Sequence, residues 1–367
     1  VKFGVTFLPS ENHAIRPHFH VYRISLPMVK IKHMNLNQTR LLMLFSVLLS
    51  GGFLTDAQAQ LKVGLVLEKS GKDDKSFNAS AYQGLKRAEK ELGVTTKTVE
   101  APDNSAYESL QRAFAEKKFD LIVAIGFHQL EAVKKNASRF PEQKFLLVDE
   151  DAKMPNVRSV LFEEHEGSYL IGVLAAMHAP SGKVGFIGGM DVPLIRRFQM
   201  GYEAGVKKIN PKAQVIVNYL GVTGDAWNNP PKAKEQALDQ FQRGADVIYV
   251  AAGNSGMGVF DAAEAKKKLA IGVDSNQNWM KPGYVLSSMM KRVDDSVFEA
   301  VKSLKEGSFK PGLVRLGLKS KGVDYAMDQH NAKLVTEDDR KKLESIRGEI
   351  ISGKIKVPDY YLTMKKK

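Results

Sequence analysis

The chain has 367 residues, a formal charge of +13 and no cysteine. That length exceeds one small core and fits two lobes of ordinary domain size, and 43% apolar with 26% charged residues are the proportions of a globular chain. Zero cysteines exclude a disulfide framework, a thiol nucleophile, a cysteine zinc site and an iron–sulfur cluster.

The first 59 residues read differently from the rest. From Met34 the sequence runs MNLNQTRLLMLFSVLLSGGFLTDAQAQ, with Arg40 before an apolar stretch, Leu41 to Leu49, and small residues leading to Ala57-Gln58-Ala59. A cationic start, a short apolar core and an A-x-A site predict a secretory signal over 34–59. The apolar run is about half of the roughly 20 residues that a membrane span needs. Residues 1–33 read as an over-extended, disordered start, with Met34 as initiator, and the histidines 13, 18, 20 and 33 as part of it instead of a metal tract. Six cations and two acids lie in 1–59, which leaves +9 on the 308 residues from Gln60. Those charges are scattered and come with no helix-turn-helix, zinc-finger or RNP signature, so a solvated basic surface is expected and no nucleic-acid partner.

From Gln60 onward, short Val/Ile-rich runs alternate with helical patterns. Strands are expected at 61–67, 119–125, 144–148, 183–187, 214–219, 246–251 and 269–273; helices at 80–92, 107–116, 131–139, 166–178, 194–209, 233–242, 258–268 and 292–306. The alternation occurs twice and predicts two doubly wound α/β lobes with parallel sheets. Ligands of such sheets bind beyond the carboxyl ends of the strands.

After the first strand, Glu68 opens a polar loop that carries Ser76, Phe77 and Asn78 into a helix. Phe77 either packs on its own lobe or covers something in the cleft. The third strand ends in a turn reaching Glu131, and a later loop holds Trp227, one of two tryptophans. Two loop aromatics on opposite lobes can sandwich a flat ring. Gly253 begins a glycine turn that lacks both the dinucleotide and the Walker spacing. Asp274 ends a strand and Lys291 follows later; the two either bind a vicinal diol or form a structural ion pair. Catalytic patterns are poor: no HExxH or GxSxG is present, and Asp73-Asp74 is the one cheap candidate for a metal-binding carboxylate pair.

Six ordered segments carry a resemblance: DDKSFNASAYQGL (73–85), FEEHEGSYLIGVLAA (162–176), WNNPPKAKEQA (227–237), GADVIYVAAGNSG (244–256), AIGVDSNQ (270–277) and SSMMKRVDDSVFEAV (287–301). Over about 61–330 the chain resembles the basic membrane protein family, whose purine nucleoside receptors are substrate-binding proteins of ATP-binding-cassette importers with the type I periplasmic-binding-protein fold. The resemblance implies a base held between Phe77 and Trp227, with Asn78 beside the first ring and Gly253, Asp274 and Lys291 on the ribose hydroxyls. Glu68 and Glu131 stand where the family usually has aspartate, each with one methylene more of reach. A hinge of three chain crossings is expected, with lobe 1 at 61–164 plus about 288–315, lobe 2 at 165–287 plus about 316–335, and a C-terminal helix and basic tail at 338–367. The function expected is periplasmic capture of a nucleoside by a monomer that serves an inner-membrane permease, with no cofactor, no metal and no lipid anchor. The alternatives are a sugar or signal receptor on the same fold, motivated by Glu68 and Glu131, and a nucleoside-cleaving enzyme, motivated by Asp73-Asp74.

Overall fold

The apolar runs of the sequence become the inner strands of two six-stranded sheets. A computed structural model describes residues 60–364; the start at 1–33, the signal-like segment and Lys365–Lys367 lie outside the described residues. The first sheet consists of β1 (Lys62–Leu67), β2 (Thr95–Glu100), β3 (Leu121–Ile125), β4 (Lys144–Val148), β5 (Val157–Phe162) and β11 (Gly312–Leu316). Its order is β11-β5-β4-β3-β1-β2, parallel throughout. The second consists of β6 (Lys183–Met190), β7 (Gln214–Gly221), β8 (Val247–Ala251), β9 (Leu269–Asp274), β10 (Val285–Lys291) and β12 (Val323–Tyr325). Here the order is β12-β10-β9-β8-β6-β7, with only β12 antiparallel.

Helices cover both faces. On the first lobe lie α1 (Phe77–Leu92), α2 (Tyr107–Glu116), α3 (Leu130–Arg139) and α8 (Val293–Lys305); on the second, α4 (Glu164–Met177), α5 (Pro193–Ile209), α6 (Pro230–Gln242) and α7 (Gly256–Lys266). The α4–α5 pair crosses on glycine: a Cβ at Gly172 would collide with the Tyr202 carbonyl, and one at Gly205 with the Tyr169 carbonyl. That close crossing fixes α5 against the hinge, where two of its residues serve the site below. Two further helices, α9 (Glu337–Ile351) and α10 (Tyr360–Met364), end the described chain. α9 starts on a capping box between Thr336 and Asp339 and buries Leu343, Ile346 and Ile350, so it is a packed helix and not a solvated one. Among the described residues no helix is long and apolar enough to cross a membrane.

Three crossings join the lobes: at Glu163, at Arg292 and over 317–322. They are stitched together by Glu163 N donating to Leu316 O and Arg292 N to Gly322 O, both at 2.8 Å. The second crossing falls at Arg292 and not near 288, because β10 stays paired with β9 as far as Met290.

Two strands that periodicity left out or showed only weakly have physical reasons to be faint. β2 (TTKTVE) is an edge strand none of whose residues is buried. β10 (VLSSMMK) buries Ser287 and Ser288, whose hydroxyls donate to Ala326 O at 2.8 Å and Asn278 Oδ1 at 2.9 Å. A satisfied serine costs little in a core, but it breaks the apolar run.

Candidate ligand-binding site

The carboxyl ends of β1, β3 and β4 face those of β6, β8, β9 and β10 across the hinge, and the loops there meet. In the first of them Asp74 is buried and accepts from the backbone N–H groups of Ser76, Asn78 and Ala79 at 2.9–3.0 Å. It therefore does the capping of α1, and the Ser76 hydroxyl is free for another bond. That hydroxyl donates to Asp274 Oδ2 at 2.5 Å on the other lobe. Two more bonds join the same loops: Ser275 Oγ to Ser76 O and Gln277 Nε2 to Lys75 O, each 2.9 Å. The lobes are latched in a closed arrangement.

Lys291, at the end of β10, is 2% exposed. Its Nζ lies 2.7 Å from Asp149, which follows β4 on the opposite lobe, and 3.1 Å from Glu164 Oε1. The rings of Phe77, Phe162 and Phe198 surround it at 5.1, 5.2 and 5.6 Å. Burial pulls this ammonium down, but Asp149, Glu164 and Asp274 outweigh burial and hold its pKa above the ordinary lysine value. Burial pushes Asp149 up to about 7 and Asp274 up to about 6, against the opposing pull of Lys291. Both aspartates occupy the left-handed backbone region, with φ of +77° and +65°, a strained placement for a non-glycine residue. Strain at the two strand ends that face one lysine marks the place where the fold gives up local comfort for geometry.

About 530 Å³ of space, mouth included, lies between the lobes beside these groups. Glu68, Phe77, Asn78, Phe127 and Asp149 line it from one side, and Phe198, Trp227, Gly253, Asp274 and Lys291 from the other. Asn78 is held by its own bonds, accepting from Glu68 N at 3.0 Å and donating to Ser70 Oγ at 2.9 Å. Trp227 closes a short turn after β7 and packs on Gly189, where a Cβ would run into its ring. Its edge meets Phe127 at 6.4 Å between centroids, and its indole Nε1 is buried without a partner. Gly253 adopts φ +56° against the Trp227 carbonyl, a conformation that suits glycine.

The structure thus brings Glu68, Phe77, Asn78, Trp227, Gly253, Asp274 and Lys291 to one cavity. Ser76 is at the cleft but acts as a latch and does not line the space. Glu131 is a correction: its side chain is 74% exposed and pairs with Lys134 at 3.0 Å, outside the cavity. A 3-10 turn at Phe127–Gln129 separates β3 from α3 and spends the reach of that loop on Phe127 and His128. His128 Nδ1 instead meets Glu68 Oε1 at 3.1 Å. The polyol argument loses one of its two carboxylates with Glu131. Asp73 and Asp74 also part: Asp73 is exposed on Lys72 while Asp74 caps α1, so they form no joint metal site. Among the described residues Glu163, His165 and Asp359 could offer three ligand atoms within 4.8 Å of one another, but the Arg197 guanidinium already bonds all three.

Sequence reasoning missed Asp149, Glu164, Phe127 and Phe198. Asp149 had a usable signal, since it follows the 144–148 strand as Asp274 follows the 269–273 strand. Glu164 and Phe198 sit inside helices, where nothing in the spacing sets them apart.

Comparison with known proteins adds an independent line. Residues 61–360 match the family described as ABC transporter substrate-binding protein PnrA-like. A protein of Lactococcus lactis, named ABC transporter nucleoside-binding protein BmpA, is 34% identical over 82% of this chain and 90% of its own. An uncharacterized lipoprotein of Pyrococcus abyssi is 34% identical over 76% of this chain and 72% of its own. A crystal structure of an ABC transporter solute-binding protein from Aeropyrum pernix superposes with TM-score 0.75 at 30% identity, covering 83% of this chain and 97% of that one.

Proposed function

The chain belongs to the family of PnrA-like ABC transporter substrate-binding proteins, and we propose that it captures a purine nucleoside in the interlobe cleft and presents it to a membrane permease. The observation that carries this reading is one cavity with an aromatic ring from each lobe, Phe77 and Trp227, beside the buried Asp274 and Lys291. The rings stack on the base; stacking of this kind is worth about 1–3 kcal/mol per base. Asp274 accepts and Lys291 donates to the ribose hydroxyls, charge-assisted bonds of about 1.5–3 kcal/mol each. Hinge closure brings both halves of the site together, and the ligand stabilises the closed form by binding only there. The name of the Lactococcus relative agrees with a nucleoside ligand.

Isothermal titration with a panel of nucleosides tests this at several pH values. Micromolar or tighter binding of a purine nucleoside is expected, and no heat from any nucleoside overturns the reading. The pH profile has a definite sign. A carboxylate accepts two hydroxyls only when ionised, and burial sets Asp274 near 6. Affinity should fall as pH drops through about 6, and Asp274→Asn should bind more weakly and lose that part of the profile.

On this reading the mature protein is exported, in keeping with the signal-like segment at 34–59. The 367 residues offer no cysteine for a thioether lipid anchor, so the reading expects a protein free of one. Release from cells by osmotic shock without detergent is the expected outcome; retention in the membrane fraction contradicts it.

A further inference from the structure

The end of the described chain returns to the hinge and plugs into the back of the site. Arg197, on α5, is 1% exposed, and its guanidinium is saturated. Nε and Nη2 donate to the two oxygens of Asp359 at 2.7 and 3.1 Å. Nη1 donates to Glu164 Oε2 at 2.6 Å and to Phe162 O at 2.5 Å, and Nη2 to Glu163 Oε2 at 2.6 Å. The Tyr361 ring covers the guanidinium at 4.6 Å. Glu163 is the first hinge crossing, and Phe162 ends β5. The other oxygen of Glu164 lies 3.1 Å from Lys291. A continuous path therefore runs Asp359–Arg197–Glu164–Lys291–Asp149, from the tail to the opposite lobe.

We propose that the tail around Asp359 and Tyr361 is a strap that positions the cleft lysine, with Asp359 acting through Arg197 and Glu164 on Lys291. Glu164 is shared between two cations and is itself 1% exposed. With Asp359 in place, Arg197 has a bidentate carboxylate of its own, and Glu164 can give one oxygen to Lys291. Without the Asp359 charge, Arg197 competes for both oxygens of Glu164, and Lys291 loses the anchor on its own lobe. Lys291 then loses the position from which it meets a ligand hydroxyl and holds the two lobes together. By linkage, a ligand held by Lys291 favours the docked strap as much as the strap favours the ligand.

The ligand arm of the test rests on the nucleoside reading; a second arm does not. In the first, Asp359→Asn, Asp359→Glu and wild type are titrated with a purine nucleoside and with its free base. Positioning of the sugar lysine predicts roughly tenfold weaker nucleoside binding for Asp359→Asn, less than twofold change for the base, and recovery in Asp359→Glu. Equal losses for both ligands, or none, overturn the proposal. In the second arm dyes are placed through Lys97→Cys on the first lobe and Lys212→Cys on the second, which label cleanly because the chain has no other cysteine. Asp359→Asn should move the interdye distribution toward the open form without ligand; an unchanged distribution overturns the strap. If wild type binds no nucleoside but the distribution responds, the ligand reading fails and the strap stands.

Discussion

Replacing Lys291 with methionine is expected to cost about 3–5 kcal/mol of unfolding free energy, the usual penalty for stranding a buried ion-pair partner. The size follows from what surrounds it. Asp149, Glu164 and Asp274 are each at most 7% exposed, and Lys291 is the cation they share within the cleft. The loss should depend on pH with a known sign. In the folded wild type, burial raises Asp149 to about 7 and Asp274 to about 6, whereas an unfolded aspartate titrates near about 3.9. A raised carboxyl favours the protonated folded state, so its contribution is full below about pH 4 and is lost as pH rises through about 6–7. Without Lys291 the two aspartates rise further, and Lys291→Met should be closest to wild type near about pH 5 and furthest from it at about pH 8. Denaturant unfolding at the two values checks this; an equal loss at both contradicts the shared-cation account.

Trp227→Ala should weaken nucleoside binding by about 5- to 150-fold, the range that about 1–3 kcal/mol of stacking spans. Phe77→Ala should lose a similar amount. The two are not equivalent in the protein, because Phe77 also covers Lys291 at 5.1 Å whereas Trp227 rests on Gly189. Trp227→Ala should therefore leave stability within about 1 kcal/mol, as expected of a partly exposed loop side chain, while Phe77→Ala should lower both affinity and stability. Calorimetric titration and thermal unfolding of the same samples separate the two effects. Unchanged affinity in Trp227→Ala contradicts the sandwich.

The two-lobed α/β architecture was legible because its inner strands are continuous apolar runs and helices such as α1, α2, α3, α5 and α8 carry a clear 3.6-residue period. The rule that ligands sit beyond strand ends pointed to Glu68, Gly253 and Asp274, each of which follows a recognisable strand. Lys291 is a different case: it ends β10, whose core serines hide the strand, so its residue type left a diol contact and a structural ion pair both open, and the family resemblance favoured the first. Glu131 failed for a local reason. A single 3-10 turn, unreadable from spacing, carries it past the cleft and onto the surface. The hinge cluster was illegible because its members, from Phe162 to Asp359, are far apart in sequence and meet only through the three crossings. Arg197, next to Arg196 in the amphipathic helix α5, looks like a solvated residue until the fold buries it.

A crystal structure with a purine nucleoside would test the central claim most directly. The base is expected between Phe77 and Trp227, with ribose hydroxyls within hydrogen-bonding distance of Asp274 and Lys291. A ligand that occupies the cleft without touching either ring, or that leaves the Asp274 carboxylate bonded to Ser76 alone, would contradict the account.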